Sequence, residues 1–187
     1  MRSPYHPITA WRPARRWSRS AIPEKYLPWL LDTSSLTQRV ITACGGNFRV
    51  NVLSRGWSRP ALDEAQVLGV ENGRSVFVRH VQLLCNERPW VFARTIIPRS
   101  TLTGHERRLA RLGARPLGAA LFADPTMERG DVEIVRLTPR HALFELTAAN
   151  VGHAPDEIWG RRSVFRLSGK PLLVCEMFLP EICQSCC

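Results

Sequence analysis

No stretch of this 187-residue chain approaches the roughly 20 consecutive apolar residues of a membrane-spanning helix, which argues against stable membrane insertion. Met1–Ser20 lacks the run of about seven apolar residues at the heart of a secretory leader, although an Arg-rich, acid-free start leaves a transit peptide open. There is no Gly-rich phosphate loop and no dinucleotide fingerprint, so nucleotide-dependent classes have no support. His80, His105, His141 and His153 have no metal-ligand spacing, and no nucleophile motif supports a Ser/His/Asp triad. The CxxC pair Cys183–Cys186 has no second pair to complete a zinc site. No metal or cofactor is expected. Lysine is almost missing: Lys25 and Lys170 stand against 24 arginines.

What is present describes one globular domain. The apolar fraction is 44% and the charged fraction 22%, close to globular averages, and the length suits a single core. Half of the net charge of +10 comes from Arg2, Arg12, Arg15, Arg16 and Arg19, which meet no acid in the first twenty residues. The remainder is an ordinary surface, so no nucleic-acid partner is expected. The predicted organisation is a basic, disordered extension over 1–21, a domain over 22–181 and a Cys-rich tail over 182–187. Cys44, Cys85 and Cys175 lie in apolar segments and read as free thiols acting as small hydrophobes, which suits a reducing cytoplasm.

The pattern predicts short helices around Tyr26–Leu31 and Leu36–Ile41, the second stopping at Gly45, and a strand over Phe48–Val52. Ala61–Gly73 reads as a polar connection. A hairpin follows, with strands Val76–Cys85 and Trp90–Ile97 around the turn Asn86–Pro89. Thr103 opens a helix to Leu112 with Glu106 completing a capping box, and Leu117–Phe122 forms a further helical turn. Asp131–Leu137 and Ala142–Leu146 read as strands. A last hairpin joins Ser163–Leu167 to Leu172–Leu179. Helices followed by antiparallel strands with a helical insert make an α+β domain with a single antiparallel sheet.

In the first hairpin, a four-residue turn pairs Cys85 with Trp90. That register sets Arg79 opposite Ile96 and Val81 opposite Arg94. Arg79 and Arg94 then share one apolar face as diagonal neighbours about 7–8 Å apart. Two like charges on such a face suit an anion, and a guanidinium grips a carboxylate through two parallel hydrogen bonds. The alternative is a solvated face. Glu176 is the one charge in the apolar run from Leu172 to Leu179. It either pairs with Arg79, Arg94 or Arg166 or serves as an acid/base or hydroxyl-binding group. Arg161-Arg162 beside Trp159 suits an anion or a solvated strand entrance equally.

Several blocks in order resemble chorismate lyase: Arg94-Thr-Ile-Ile-Pro98, Ser100–Gly104, Leu112-Gly113, Pro116–Gly118, Trp159–Ser163, Arg166–Leu173 and Glu176–Pro180. The resemblance runs from about Leu27 to Pro180. It implies an antiparallel sheet flanked by helices around a buried pocket beneath helical flaps. It also implies cofactor-free cleavage of chorismate to 4-hydroxybenzoate and pyruvate, the first committed step of ubiquinone synthesis, by a cytoplasmic monomer. Ligand-contacting positions of the family fall on Leu36, Arg79, Leu117 and Glu176, and Arg94 matches an arginine that holds the enolpyruvyl side. Leu36 stands where relatives carry Met, and the segment from Phe144 to Trp159 is longer than the family pattern. The same fold resembles the effector-sensing domain of bacterial transcription regulators, a binding module without catalysis. Those carry a DNA-binding domain ahead of it, whereas about 20 residues precede the first expected helix here.

Overall fold

The computed structural model describes residues 10–149, 151–152 and 155–182. Its frame is one antiparallel sheet built from β1 (Arg12–Pro13), β2 (Phe48–Ser58), β3 (Val76–Cys85), β4 (Arg88–Pro98), β5 (Glu128–Arg129), β6 (Glu133–Leu137), β7 (Ile158–Leu167) and β8 (Lys170–Phe178). The strand order is β1-β6-β7-β8-β4-β3-β2, with β5 alongside β7. The helices are α1 (Leu27–Leu30), α2 (Leu36–Cys44), α3 (Leu62–Leu68), α4 (Leu117–Phe122) and α5 (Ala142–Ala148), with a 3-10 helix over Gly104–Arg111. The expected α+β class holds.

Period-2 alternation splits the apolar side chains of the long strands between both faces, so each face carries its own core. One face carries two clusters. The first gathers Val50, Val81, Leu83, Val91, Trp159 and Phe178 beneath Trp29 and Leu30 of α1. The second gathers Phe77, Ile97, Phe165, Leu172 and Val174 beneath Leu117 and Leu121 of α4. The opposite face packs Val78, Phe92, Ile96, Leu173, Cys175 and Met177 with Leu68 of α3 and Phe144 of α5.

Several expectations need correction. The β3–β4 turn is two residues long: Asn86 and Glu87 both have positive φ, 47° and 65°, and Cys85 faces Arg88. With an irregularity at Leu83/Leu84, the register places Arg79 opposite Thr95 and His80 opposite Arg94. A one-residue slip exchanges faces, so Arg94 lies on the opposite face from Arg79. The stretch read as a polar connection contains α3, whose Glu64 accepts a 2.9 Å hydrogen bond from the Ala61 amide. Ala142–Leu146 is the start of a helix; a short apolar run cannot separate the two periods by itself. Cys44 and Cys85 are joined as a disulfide between the end of α2 and the end of β3, while Cys175 is a buried free thiol, so the thiols lend no support to a reducing compartment. Finally, the start of the chain contributes to the fold from residue 10: Arg12 and Pro13 pair with Ile134 and Glu133, and Trp17 meets Trp159 edge-on at 5.2 Å. Thr103 makes no side-chain cap; Glu106 instead bonds Lys170 at 2.7 Å. Ile182, assigned to the tail, is fully buried, and the tail cysteines Cys183, Cys186 and Cys187, with His153, lie outside the described residues.

Candidate active site

Between the two clusters of the first face lies a pocket lined by Val50, Arg79, Val81, Ala93, Thr95, Arg161, Phe165, Val174 and Glu176 from the sheet. Leu36 and Thr37 at the start of α2 and Leu117 and Gly118 at the start of α4 cover it. Counted out to its mouth, the space between atoms is about 580 Å³. The two helical covers meet tightly. A Cβ on Gly118 would lie 3.0 Å from the Thr37 hydroxyl and 3.1 Å from that of Ser35. Glycine lets α4 approach α2 over the pocket.

Four charged side chains face the pocket: Arg79, Arg129, Arg161 and Glu176. Arg79 is 4% exposed, and its Nη2 donates to the carbonyls of Gly113 (2.9 Å) and Arg115 (3.1 Å), fastening the loop ahead of α4. Its Nε is buried without a partner, and among the described residues no carboxylate pairs with it. Burial, with repulsion from Arg55, pushes its pKa down. A buried guanidinium in this condition is costly unless an anion arrives.

Glu176 accepts from Arg161 Nε at 2.6 Å, because the β7–β8 register sets the two residues opposite each other. Its partner is thus not one of the three arginines expected. Arg161, 1% exposed, also donates to the Trp29 carbonyl at 2.8 Å and to the Asp32 carbonyl, fastening the loop ahead of α2. That loop is shaped by Asp32, which accepts from the Ser34 amide and hydroxyl and pairs with Arg39 at 2.9 Å. Burial opposes its ionisation, yet these bonds hold the Asp32 pKa at about 2. Arg129, on β5, donates from Nε to the Ser163 hydroxyl (3.2 Å) and from Nη1 to the Thr33 carbonyl (2.9 Å).

Leu36, Arg79, Leu117 and Glu176 are therefore brought together. Arg94 is not. It grips Glu64 of α3 through Nε (2.7 Å) and Nη2 (2.8 Å) on the far face, and its Nη1 lies 2.6 Å from His80 Nε2. Arginine can only donate, so that nitrogen accepts and His80 is neutral, with Nδ1–H donating to the Ser54 hydroxyl at 2.8 Å. Burial and the Arg94 charge lower the His80 pKa to about 4. Beside this pair, Arg162 bonds Glu133 and Asp63. The far-face cations dock α3 onto the sheet.

A sequence profile described as chorismate lyase matches residues 9–186. The chain belongs to the chorismate lyase family. A relative from Methylococcus capsulatus named "Probable chorismate pyruvate-lyase" is 42% identical over 154 residues, 82% of this chain and 94% of its own length. A second so named, from Pseudomonas aeruginosa strain UCBPP-PA14, is 41% identical over 163 residues, covering 87% and 88% of the two chains. Among solved structures, PhnF from Mycobacterium smegmatis aligns with TM-score 0.58 at 16% identity over 81% of this chain and 66% of its own. Its effector domain alone gives 0.55 over 81% and 91%. That likeness concerns the fold.

Of the pocket arginines, sequence reasoning left Arg161 undecided between anion binding and a solvated strand entrance and missed Arg129. The first meets Glu176 only through the register of β7 on β8. The second stands on a two-residue strand after Met127 with no periodic pattern around it.

Proposed function

We propose that this protein is a chorismate pyruvate-lyase that releases 4-hydroxybenzoate and pyruvate without metal or cofactor, supplying the first committed step of ubiquinone synthesis. The observation that carries the reading is a covered pocket, in a chain of this family, where three guanidinium groups face one carboxylate. Two positive charges are left for a substrate with two carboxylates.

The reaction breaks the ether bond between the ring and the enolpyruvyl oxygen and removes a proton from the ring carbon that bears the hydroxyl. The electrons of that C–H bond complete the aromatic ring, and the leaving enolate takes up a proton to become pyruvate. Aromaticity drives the reaction, so the protein's task is to hold the eliminating conformer, exclude water and stabilise the leaving oxygen. Arg79 binds the ring carboxylate. Glu176, oriented by Arg161, accepts the hydroxyl's hydrogen bond and so stands beside the C–H that is lost. Leu36 and Leu117 close over the ring. Arg94, on the far face, has no part in this.

The described residues include no helix long and apolar enough to cross a membrane. A dianionic substrate does not cross a bilayer unaided, so we place the enzyme in the cytoplasm where the substrate is made. A monomer is the proposed acting unit, a reading supported by the lining of the described pocket, which comes from one chain. The test is to incubate purified protein with chorismate and EDTA and follow 4-hydroxybenzoate and pyruvate. Equimolar products are expected. Tight chorismate binding without turnover would return the chain to the sensor reading, and activity restored only by a divalent ion would end the cofactor-free one.

A further inference from the structure

The pocket holds a cation that this division of roles leaves unused. Arg129 projects from β5, which pairs with β7 so that Arg129 faces Phe165. Its guanidinium carbon lies 5.3 Å from the centre of the Phe165 ring, and its Nε reaches Ser163 on the same strand. Every bond it makes is to a neutral acceptor: the Ser163 hydroxyl, the Thr33 carbonyl and the aromatic face. Among the described residues no carboxylate pairs with it, since Glu176 is held by Arg161 at 2.6 Å. Burial, and then the neighbouring Arg161 charge, push its pKa down.

Placement adds to the argument. Strand β8, which carries Glu176, has β4 and then β3 on one side, and β7 and then β5 on the other. Arg79 on β3 and Arg129 on β5 thus each stand two strands away on opposite sides, roughly 10 Å across the sheet, and both are displaced along it toward the same end, Arg79 to the level of Val174 and Arg129 to that of Leu172. Arg161 is the poorer second anion anchor, because its charge is already matched by Glu176 and its Nε and Nη1 donate to Glu176 and to the Trp29 and Asp32 carbonyls.

We propose that Arg129 grips the enolpyruvyl carboxylate of chorismate, opposite Arg79 on the ring carboxylate. This rests on the chorismate reading and gives Arg129 the role that the resemblance assigns to Arg94. The guanidinium that takes this carboxylate also holds Thr33, three residues ahead of Leu36, so substrate and the α2 cover share one anchor.

The product has lost the enolpyruvyl group, and this makes the assignment testable. Arg79→Ala, Arg129→Gln and Arg129→Lys are compared with the unaltered protein by chorismate kinetics, 4-hydroxybenzoate binding and melting temperature. Arg129→Gln is expected to lower kcat/KM by about 10- to 100-fold, the worth of a charge-assisted hydrogen bond. Its 4-hydroxybenzoate Kd should stay within about threefold, while Arg79→Ala loses product affinity. Arg129→Lys should fall between, keeping the charge without the planar fork. A merely structural hold on Thr33 would weaken product and substrate alike, and that outcome, or an Arg129→Gln enzyme with unchanged kcat/KM, overturns the proposal. Failure of the unaltered protein to convert chorismate overturns the parent reading and this one together.

Discussion

At the residue scale, Glu176 is both paired and exposed to the pocket, and the two roles separate by substitution. Glu176→Gln keeps an oxygen that can accept from Arg161 Nε, and Arg161 retains its carbonyl acceptors at Trp29 and Asp32. The variant should fold with a melting temperature close to the parent. It should lose turnover by about 100-fold or more, the usual contribution of a positioned proton acceptor. A stable Gln variant with full activity would leave Glu176 as a structural partner of Arg161. That Glu176 is special was legible, because it is a lone charge on a strand apolar on both faces. Its partner was not, because Arg161 meets it only through the β7–β8 register.

At the element scale, one hairpin decided which arginine serves the pocket. Asn86 and Glu87 take up the whole turn in left-handed conformations, and the resulting register sends Arg94 to α3. Arg94→Ala should therefore be a stability variant. It strands Glu64, whose carboxyl burial pushes toward the neutral form and Arg94 holds below its ordinary pKa. Breaking a buried pair this way costs about 3–5 kcal/mol. Chemical denaturation should show that loss, while kcat of the folded fraction stays near the parent value. A stable Arg94→Ala protein with depressed kcat would place Arg94 back in the chemistry. α3 is too short, at seven residues, for its mixed pattern of Leu62, Ala65, Val67 and Leu68 among Asp63, Glu64 and Gln66 to declare a helical period, and its docking rests on Asp63 and Glu64.

At the scale of the whole molecule, the far-face network ties stability to pH. His80 is pushed from its ordinary 6.5 to about 4 by burial and by Arg94, with Glu64 opposing. Between these values the unfolded chain binds a proton that the folded chain refuses, so stability is full above about pH 6.5 and falls as pH drops toward 4. The slope from one such group is at most about 1.4 kcal/mol per pH unit. Melting curves from pH 7.5 to 4 should fall in this window, and His80→Gln, which keeps an acceptor for Arg94, should flatten it. An unchanged pH profile in that variant would mean that His80 titrates normally. Below the window Glu64 and Asp32, both held below their ordinary values, continue the loss as they protonate.

The sequence by itself determined the class of the fold, the two hairpins, the helical covers beginning at Leu36 and Leu117 and the singularity of Glu176, while it set Arg79 apart only together with Arg94. Each of these rests on local information: period, turn residues and a charge out of place in an apolar run. Ordered motifs carried the family. Only the tertiary structure decided which cations meet at the pocket, because strand register and the pairing of distant strands set the face of every side chain. Arg94 left the site by a one-residue slip, while Arg161 and Arg129 entered it through β7 and its neighbour β5. The Cys44–Cys85 link is of the same kind, joining residues 41 apart that come together only when α2 lies against the end of β3.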